Sequence, residues 1–69
     1  MKLGVGMVSR CDTDPRAALA LEAIHRRSSD MGMRTIAEHV ERESTLEILR
    51  NIGVDFAQGF HIGIPQPLT

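Results

Sequence analysis

Two polar side chains stand at matching places in a short repeat. Ala37-Glu38 and Ala57-Gln58 each close a compact stretch rich in apolar residues, with a period close to twenty. Each stretch follows a glycine, Gly32 or Gly53, and each glycine follows a segment of helical spacing. A carboxylate and a carboxamide repeated at strand ends belong on the rim of a parallel α/β sheet, where such folds collect their chemistry. Lys2 joins them if the first apolar run ends early. The other reactive residue types lead elsewhere. Cys11 is the sole cysteine, so it forms no internal disulfide, and no basic partner that would activate it is identifiable. His25, His39 and His61 fall on a helix, a loop and a terminal strand without ligand spacing. That excludes a zinc knuckle or ribbon, which needs four clustered Cys or His ligands.

The elements that must hold these groups are punctuated by glycine and proline. Residues 1–8 read as a short apolar strand and residues 9–14 as a polar loop. Thr13 or Asp14 offers a side-chain oxygen to cap a helix beginning at Pro15, whose missing N–H costs nothing in a first turn. Ala17, Ala18, Leu21, Ile24 and Met31 recur near helical spacing, while Arg16, Glu22, Arg26, Arg27 and Asp30 fill the other face. Gly32 is the expected left-handed end. Residues 33–38 predict the next strand and 39–43 a polar link. Ser44 or an earlier residue caps a second helix, with Leu46, Leu49 and Ile52 at three-residue steps and Ile48 widening the stripe. Gly53 ends that helix, residues 54–58 form a third strand, and residues 59–65 lead into a proline-rich tail.

Strands alternating with helices predict parallel strands joined by helical crossovers. Two right-handed crossovers place both helices on one face. The other face, with Val5, Ile36 and Phe56, is left bare in the manner of an arc of a barrel. Such a piece is expected to need the rest of a domain, or another chain, against that face and its open edges.

Composition bounds the function classes. Sixty-nine residues make one small domain at most. Hydrophobic residues at 42% and charged residues at 25% are globular proportions, and aromatics at 3% require an aliphatic core. Eight basic against nine acidic residues give a formal charge of −1, which disfavours a nucleic-acid or anionic-membrane binder. The longest apolar run is too short for a membrane span. A free thiol suits the cytoplasm.

Residues 33–67 resemble the C-terminal part of the EAL-domain phosphodiesterases, which hydrolyse cyclic di-GMP on a (β/α)8 TIM-type barrel. The family pattern Ala-Glu-Gly-Val-Glu is met by Ala37-Glu38-His39-Val40-Glu41. A helix with Leu46 and Leu49 follows, then Gly53-Val54-Asp55-Phe56-Ala57-Gln58-Gly59-Phe60 on the family's Gly-x-Asp-x-x-Gln-Gly-aromatic, and Pro65-Gln66-Pro67 on its Pro-x-Pro. Upstream, Lys2-Leu3-Gly4 falls where the family carries Lys-Ile-Asp.

The resemblance implies roles. Lys2 would position or activate the attacking water, Glu38 would be a carboxylate at a Mg2+ or Mn2+ centre, Gln58 would orient the water or the lysine, and Glu41 would support the outer shell or loop. A phosphodiester anion resists attack by water, so divalent cations are needed to neutralise it and lower the water's pKa. Two positions depart from the pattern: Gly4 removes a carboxylate, and His39 replaces a glycine in a loop that needs glycine's freedom. The Glu-Ala-Leu signature and the Asp-Asp-Phe-Gly loop, which hold most of the family's metal ligands, are absent from this sequence.

The expectation is therefore a partial barrel: residues 1–69 as the C-terminal portion of an EAL domain, with its last three parallel strands and two crossover helices. It would be about a third of a barrel of roughly 250 residues. With Glu38 as the one carboxylate that the resemblance assigns to the metal centre, it would hold no metal stably and would be inactive alone, hydrolysing cyclic di-GMP to linear pGpG only with the missing part of the barrel. The alternative is a degenerate, non-catalytic docking or regulatory module that self-associates or pairs with another EAL chain.

Overall fold

The computed structural model describes residues 1–59 and 62–68. The expectation of a terminal strand at His61 lies outside them. Its elements in chain order are α1 (Val5–Arg10), α2 (Pro15–Asp30), β1 (Ile36–Val40), α3 (Glu43–Ile52), β2 (Phe56–Gly59) and β3 (Ile62–Pro67).

The N-terminal apolar run divides in two. Lys2 bridges Ile36 in parallel, with the Leu3 N–H donating to the Ile36 carbonyl at 2.9 Å and the Ile36 N–H to the Met1 carbonyl at 2.8 Å. The strand expected over residues 1–8 stops there, because α1 begins at Val5. A short apolar run satisfies either period. Burial decides it here: Val8 and Cys11, three residues apart, are 0% and 3% exposed, whereas Val5 is 51% exposed. Val5 therefore belongs to a helix and not to the bare face of the sheet.

α2 starts as its sequence dictates, with Pro15 in the first turn and the Asp14 carboxylate accepting from the Arg16 N–H at 3.0 Å. It buries Ala17, Leu21 and Ser28, and Gly32 follows in the left-handed region at φ 76°. Ser44 does not cap α3. The N-cap is Arg42, without a side-chain cap bond. α3 ends at Gly53, φ 97°, whose N–H donates to the Arg50 and Leu49 carbonyls, while the Val54 N–H reaches the Leu49 carbonyl at 3.1 Å. Val54, fully buried, supplies the apolar contact that such helix ends use.

The sheet has the order β1-β2-β3. β1 and β2 are parallel, with Ile36 opposite Phe56 and Ala37 opposite Ala57. With the bridge at Lys2, three adjacent chain segments run parallel, as expected for an arc of a barrel. The proline-rich tail is corrected to a strand: β3 runs antiparallel to β2, with Ala57 opposite Gln66. Prolines at 65 and 67 read as breakers in sequence, but β3 is an edge strand among the described residues, and an edge tolerates the loss of the N–H that proline lacks.

One face of this sheet carries the core. Leu3, Ala37 and Ala57 are 4%, 0% and 0% exposed and cluster with Val8 of α1, Leu21 of α2 and Leu49 of α3. Alternation puts Ile36, Glu38, Phe56 and Gln58 on the other face, where they are half-buried. Among the described residues no helix is long and apolar enough to cross a membrane.

Candidate functional site

The rim of the parallel segments carries Lys2, Glu38 and Gln58 in consecutive positions across the sheet. Because Ala37 pairs with Ala57, Glu38 follows beside Gln58. Lys2 pairs with Ile36, one pleat earlier on the same face, and its Nζ stands 3.3 Å from Glu38 Oε1. The Lys2 side chain is 75% exposed and that of Glu38 28%. An ion pair this open contributes about 0.2–1 kcal/mol at most. Its significance is chemical: an ammonium and a carboxylate share one solvent-reachable rim.

The backbone around Glu38 is unusual. Ala37 pairs with Ala57 but Val40 with Gly59, so Glu38 and His39 together oppose Gln58, the two-against-one count of a bulge. His39 takes φ 60°, the one positive φ outside glycine among the described residues. The glycine-like freedom expected at this position is thus used, by a residue with a side chain. The bulge also returns Val40 to the core, at 4% exposed, where strict alternation would have sent it to the Glu38 face.

Gly59 completes the arrangement. A Cβ built there would lie 2.3 Å from both the Val40 nitrogen and the Val40 oxygen. Gln-Gly at the end of β2 therefore has a steric cause: Gly59 lets the two backbones close, and that closure sets Gln58 against Glu38.

Glu41 lies in the exposed link between β1 and α3. Among the described residues no hydrogen bond or ion pair joins it to Lys2 or Glu38. Gly4 is extended and precedes α1 as its N-cap, with no side-chain cap bond. A Cβ there would meet only the flexible Cε of Met7, at 3.0 Å.

Hard divalent cations take several oxygen ligands. Among the described residues no group of three or more His, Cys, Asp or Glu could hold a metal ion. Glu38 is one carboxylate and already faces Lys2, so these residues do not by themselves fit a divalent-metal centre. His25 and Cys11 have structural surroundings. His25 Nδ1 is 2.9 Å from Thr35 Oγ1, and Cys11 is buried, which together with the nearby Asp12 charge pushes its thiol pKa up.

Sequence reasoning missed two groups of positioning residues. Asp55, inside the Gly-x-Asp motif, accepts from the Thr35 N–H at 2.8 Å and the Thr35 hydroxyl at 3.3 Å, tying the start of β2 to the entry of β1. Asp12 is gripped by Arg42 and Ser44, whose hydrogen bonds hold its carboxyl far below the usual carboxylate range. Neither has a local signal, since the partners lie 20 and about 30 residues away.

Comparison with known proteins places this arrangement among relatives. A family model described as the EAL domain matches residues 1–65. The cyclic di-GMP phosphodiesterase PdeB of Shewanella oneidensis is 50% identical over 39 residues, covering 56% of this chain and 5% of that protein. A solved structure of the EAL enzyme Bd1971 in its cAMP-bound form superposes with a TM-score of 0.84 at 25% identity, over 97% of this chain and 18% of that one. The PaMucR phosphodiesterase in complex with c-di-GMP superposes at 0.80 with 30% identity, over 96% of this chain and 27% of that one. The chain thus spans a small part of the length of the relatives it matches.

Proposed function

The chain belongs to the EAL domain family, and from that premise we propose that it forms the C-terminal portion of a barrel that hydrolyses cyclic di-GMP to linear pGpG. The observation that carries the reading is the shared rim of Lys2, Glu38 and Gln58, with Lys2 and Glu38 3.3 Å apart. The substrate reading is supported by a relative named a cyclic di-GMP phosphodiesterase and a neighbour solved with c-di-GMP.

In this reading each side chain has a task. Lys2 stands beside the attacking water, where its charge favours developing hydroxide. Glu38 would give one oxygen ligand to a Mg2+ or Mn2+ centre whose other carboxylates would come from elsewhere in the barrel, and the cations would supply charge to neutralise the phosphodiester. Gln58 hydrogen-bonds the water or the lysine and so fixes the direction of attack. Glu41 supports the loop after β1. The partner is the remainder of an EAL barrel, in the same polypeptide or another chain. The free Cys11 fits a cytoplasmic setting.

Gly4 and His39, where the family pattern has Asp and Gly, favour a second reading. This is a non-catalytic docking or regulatory module that self-associates or pairs with another EAL chain through the bare sheet face.

The test is hydrolysis of cyclic di-GMP with Mg2+ or Mn2+, by the chain alone and by the chain mixed with the N-terminal portion of an EAL barrel. Formation of pGpG in the mixture, lost with Glu38→Ala, supports the first reading. A bound complex without pGpG supports the second. Turnover by the chain alone would refute the claim that one carboxylate is too few.

A further inference from the structure

The segments that carry Lys2 and Glu38 meet a second time behind the rim. Lys2 leads through Leu3 and Gly4 into α1 and then the loop bearing Asp12. Glu38 leads through His39, Val40 and Glu41 to Arg42. There Arg42 Nε and Nη2 donate to the two oxygens of Asp12, each at 2.9 Å, and Nη2 also donates to the Ser9 carbonyl at 2.6 Å. Ser44 Oγ donates to Asp12 Oδ2 at 2.6 Å.

This grip is stronger than the pair it lies behind. The Asp12 side chain is 5% exposed and both its oxygens are engaged, whereas the Lys2 side chain is 75% exposed. A two-pronged arginine–carboxylate pair fixes geometry in a way that an open lysine–glutamate pair does not. Helix capping does not account for it. Arg42 is the N-cap of α3 with no side-chain cap bond, and Ser44, two residues later in the first turn, turns to Asp12 instead. The loop after β1 is thereby fastened to the loop after α1 and not to its own helix.

We infer that Asp12 and Arg42 form a positioning clamp for Lys2 and Glu38, holding the loops beyond two adjacent strand ends at a set separation. The clamp acts through the backbone from Arg42 to Glu38 and from Asp12 to Lys2. Neither residue touches substrate.

The test is a distance readout in the 69-residue chain, the NMR cross-peak between the Lys2 CεH2 and Glu38 CγH2 protons. Asp12→Asn is expected to weaken it severalfold, because the intensity falls with the inverse sixth power of the proton separation, while the β1–β2 amide pattern persists. The charge-reversed double variant Asp12→Arg with Arg42→Asp is expected to restore it. A full cross-peak in folded Asp12→Asn overturns the clamp. If Asp12→Asn yields no dispersed spectrum, Arg42→Lys, which keeps the charge but loses the fork, decides by the same cross-peak: weakened supports the clamp, unchanged overturns it. One further arm rests on the hydrolysis proposed above: in the completed barrel, Asp12→Asn lowers kcat about tenfold with KM unchanged. Absence of hydrolysis by the unsubstituted protein would count against that reading, and the cross-peak would still decide the clamp.

Discussion

Ala37 and Ala57 lie directly opposite each other in the parallel β1–β2 pair, both fully buried. Their methyl groups face the helices, so the next residue on each strand turns to the opposite face. Glu38 and Gln58 become neighbours by that register. A one-residue slip would move one of them into the core, so the small buried pair and the polar pair are a single structural fact.

Gly59 is the steric keystone of that register. A Cβ at Gly59 would approach the Val40 nitrogen and oxygen to 2.3 Å, and backbone atoms cannot swing aside as a side-chain tip can. Gly59→Ala is expected to destabilise the protein by about 2–4 kcal/mol, read as a fall in the urea midpoint. Gly32→Ala is the control. Its φ is 76° but nothing lies within 4 Å of the added atom, so it should cost only about 1 kcal/mol.

His39 runs the other way. It holds φ 60° in the bulge beside Glu38, a region that costs a residue with a side chain roughly 1 kcal/mol. His39→Gly relieves that cost at the expense of some unfolded-state entropy. The two largely offset, so the expected net gain is at most a few tenths of a kcal/mol, measurable by thermal or urea unfolding.

The Asp12 carboxyl gives the protein an acid-sensitive joint. Arg42 first, and Ser44 second, hold its folded-state pKa well below the unfolded value of about 3.9. A depressed carboxyl contributes stability that is fully present above the unfolded value and is lost as pH falls through the folded one. Urea midpoints should therefore decline from about pH 5 downward, with the loss continuing below pH 2. Asp12→Asn should be less stable at neutral pH and show a shallower acid decline.

Gly4 offers a gain. It is the N-cap of α1 without a side-chain cap bond, and the space for a Cβ is limited only by Met7 Cε. Gly4→Asp supplies a capping oxygen and is expected to raise stability by a few tenths of a kcal/mol. In the completed barrel it also restores the carboxylate that the family pattern carries there, and the activity of that assembly should rise.

Much of this was legible in the residues themselves. The helix ends at Gly32 and Gly53, the cap at Asp14 and the paired Ala-polar strand ends all follow from local chemistry acting over a few residues, which one sequence displays in full. α1 was hidden because Val5-Gly6-Met7-Val8 fits either period until Val8 and Cys11 are seen to share the core. β3 was hidden because Pro65 and Pro67 signal a break, and only its edge position makes them harmless. The grips on Asp12 and Asp55 join residues 20 or more positions apart, and no local pattern announces such partners.

The measurement that bears most directly on the central claim is the rate of pGpG formation by an EAL phosphodiesterase whose C-terminal segment is replaced by residues 1–65 of this chain. Lys2, Glu38 and Gln58 are then each changed to Ala. The account predicts that the chimaera hydrolyses cyclic di-GMP with Mg2+ and that Lys2→Ala and Glu38→Ala each lower kcat at least about 100-fold, with a smaller loss for Gln58→Ala. A folded chimaera that shows no hydrolysis, or one whose rate is unmoved by these three substitutions, would contradict it.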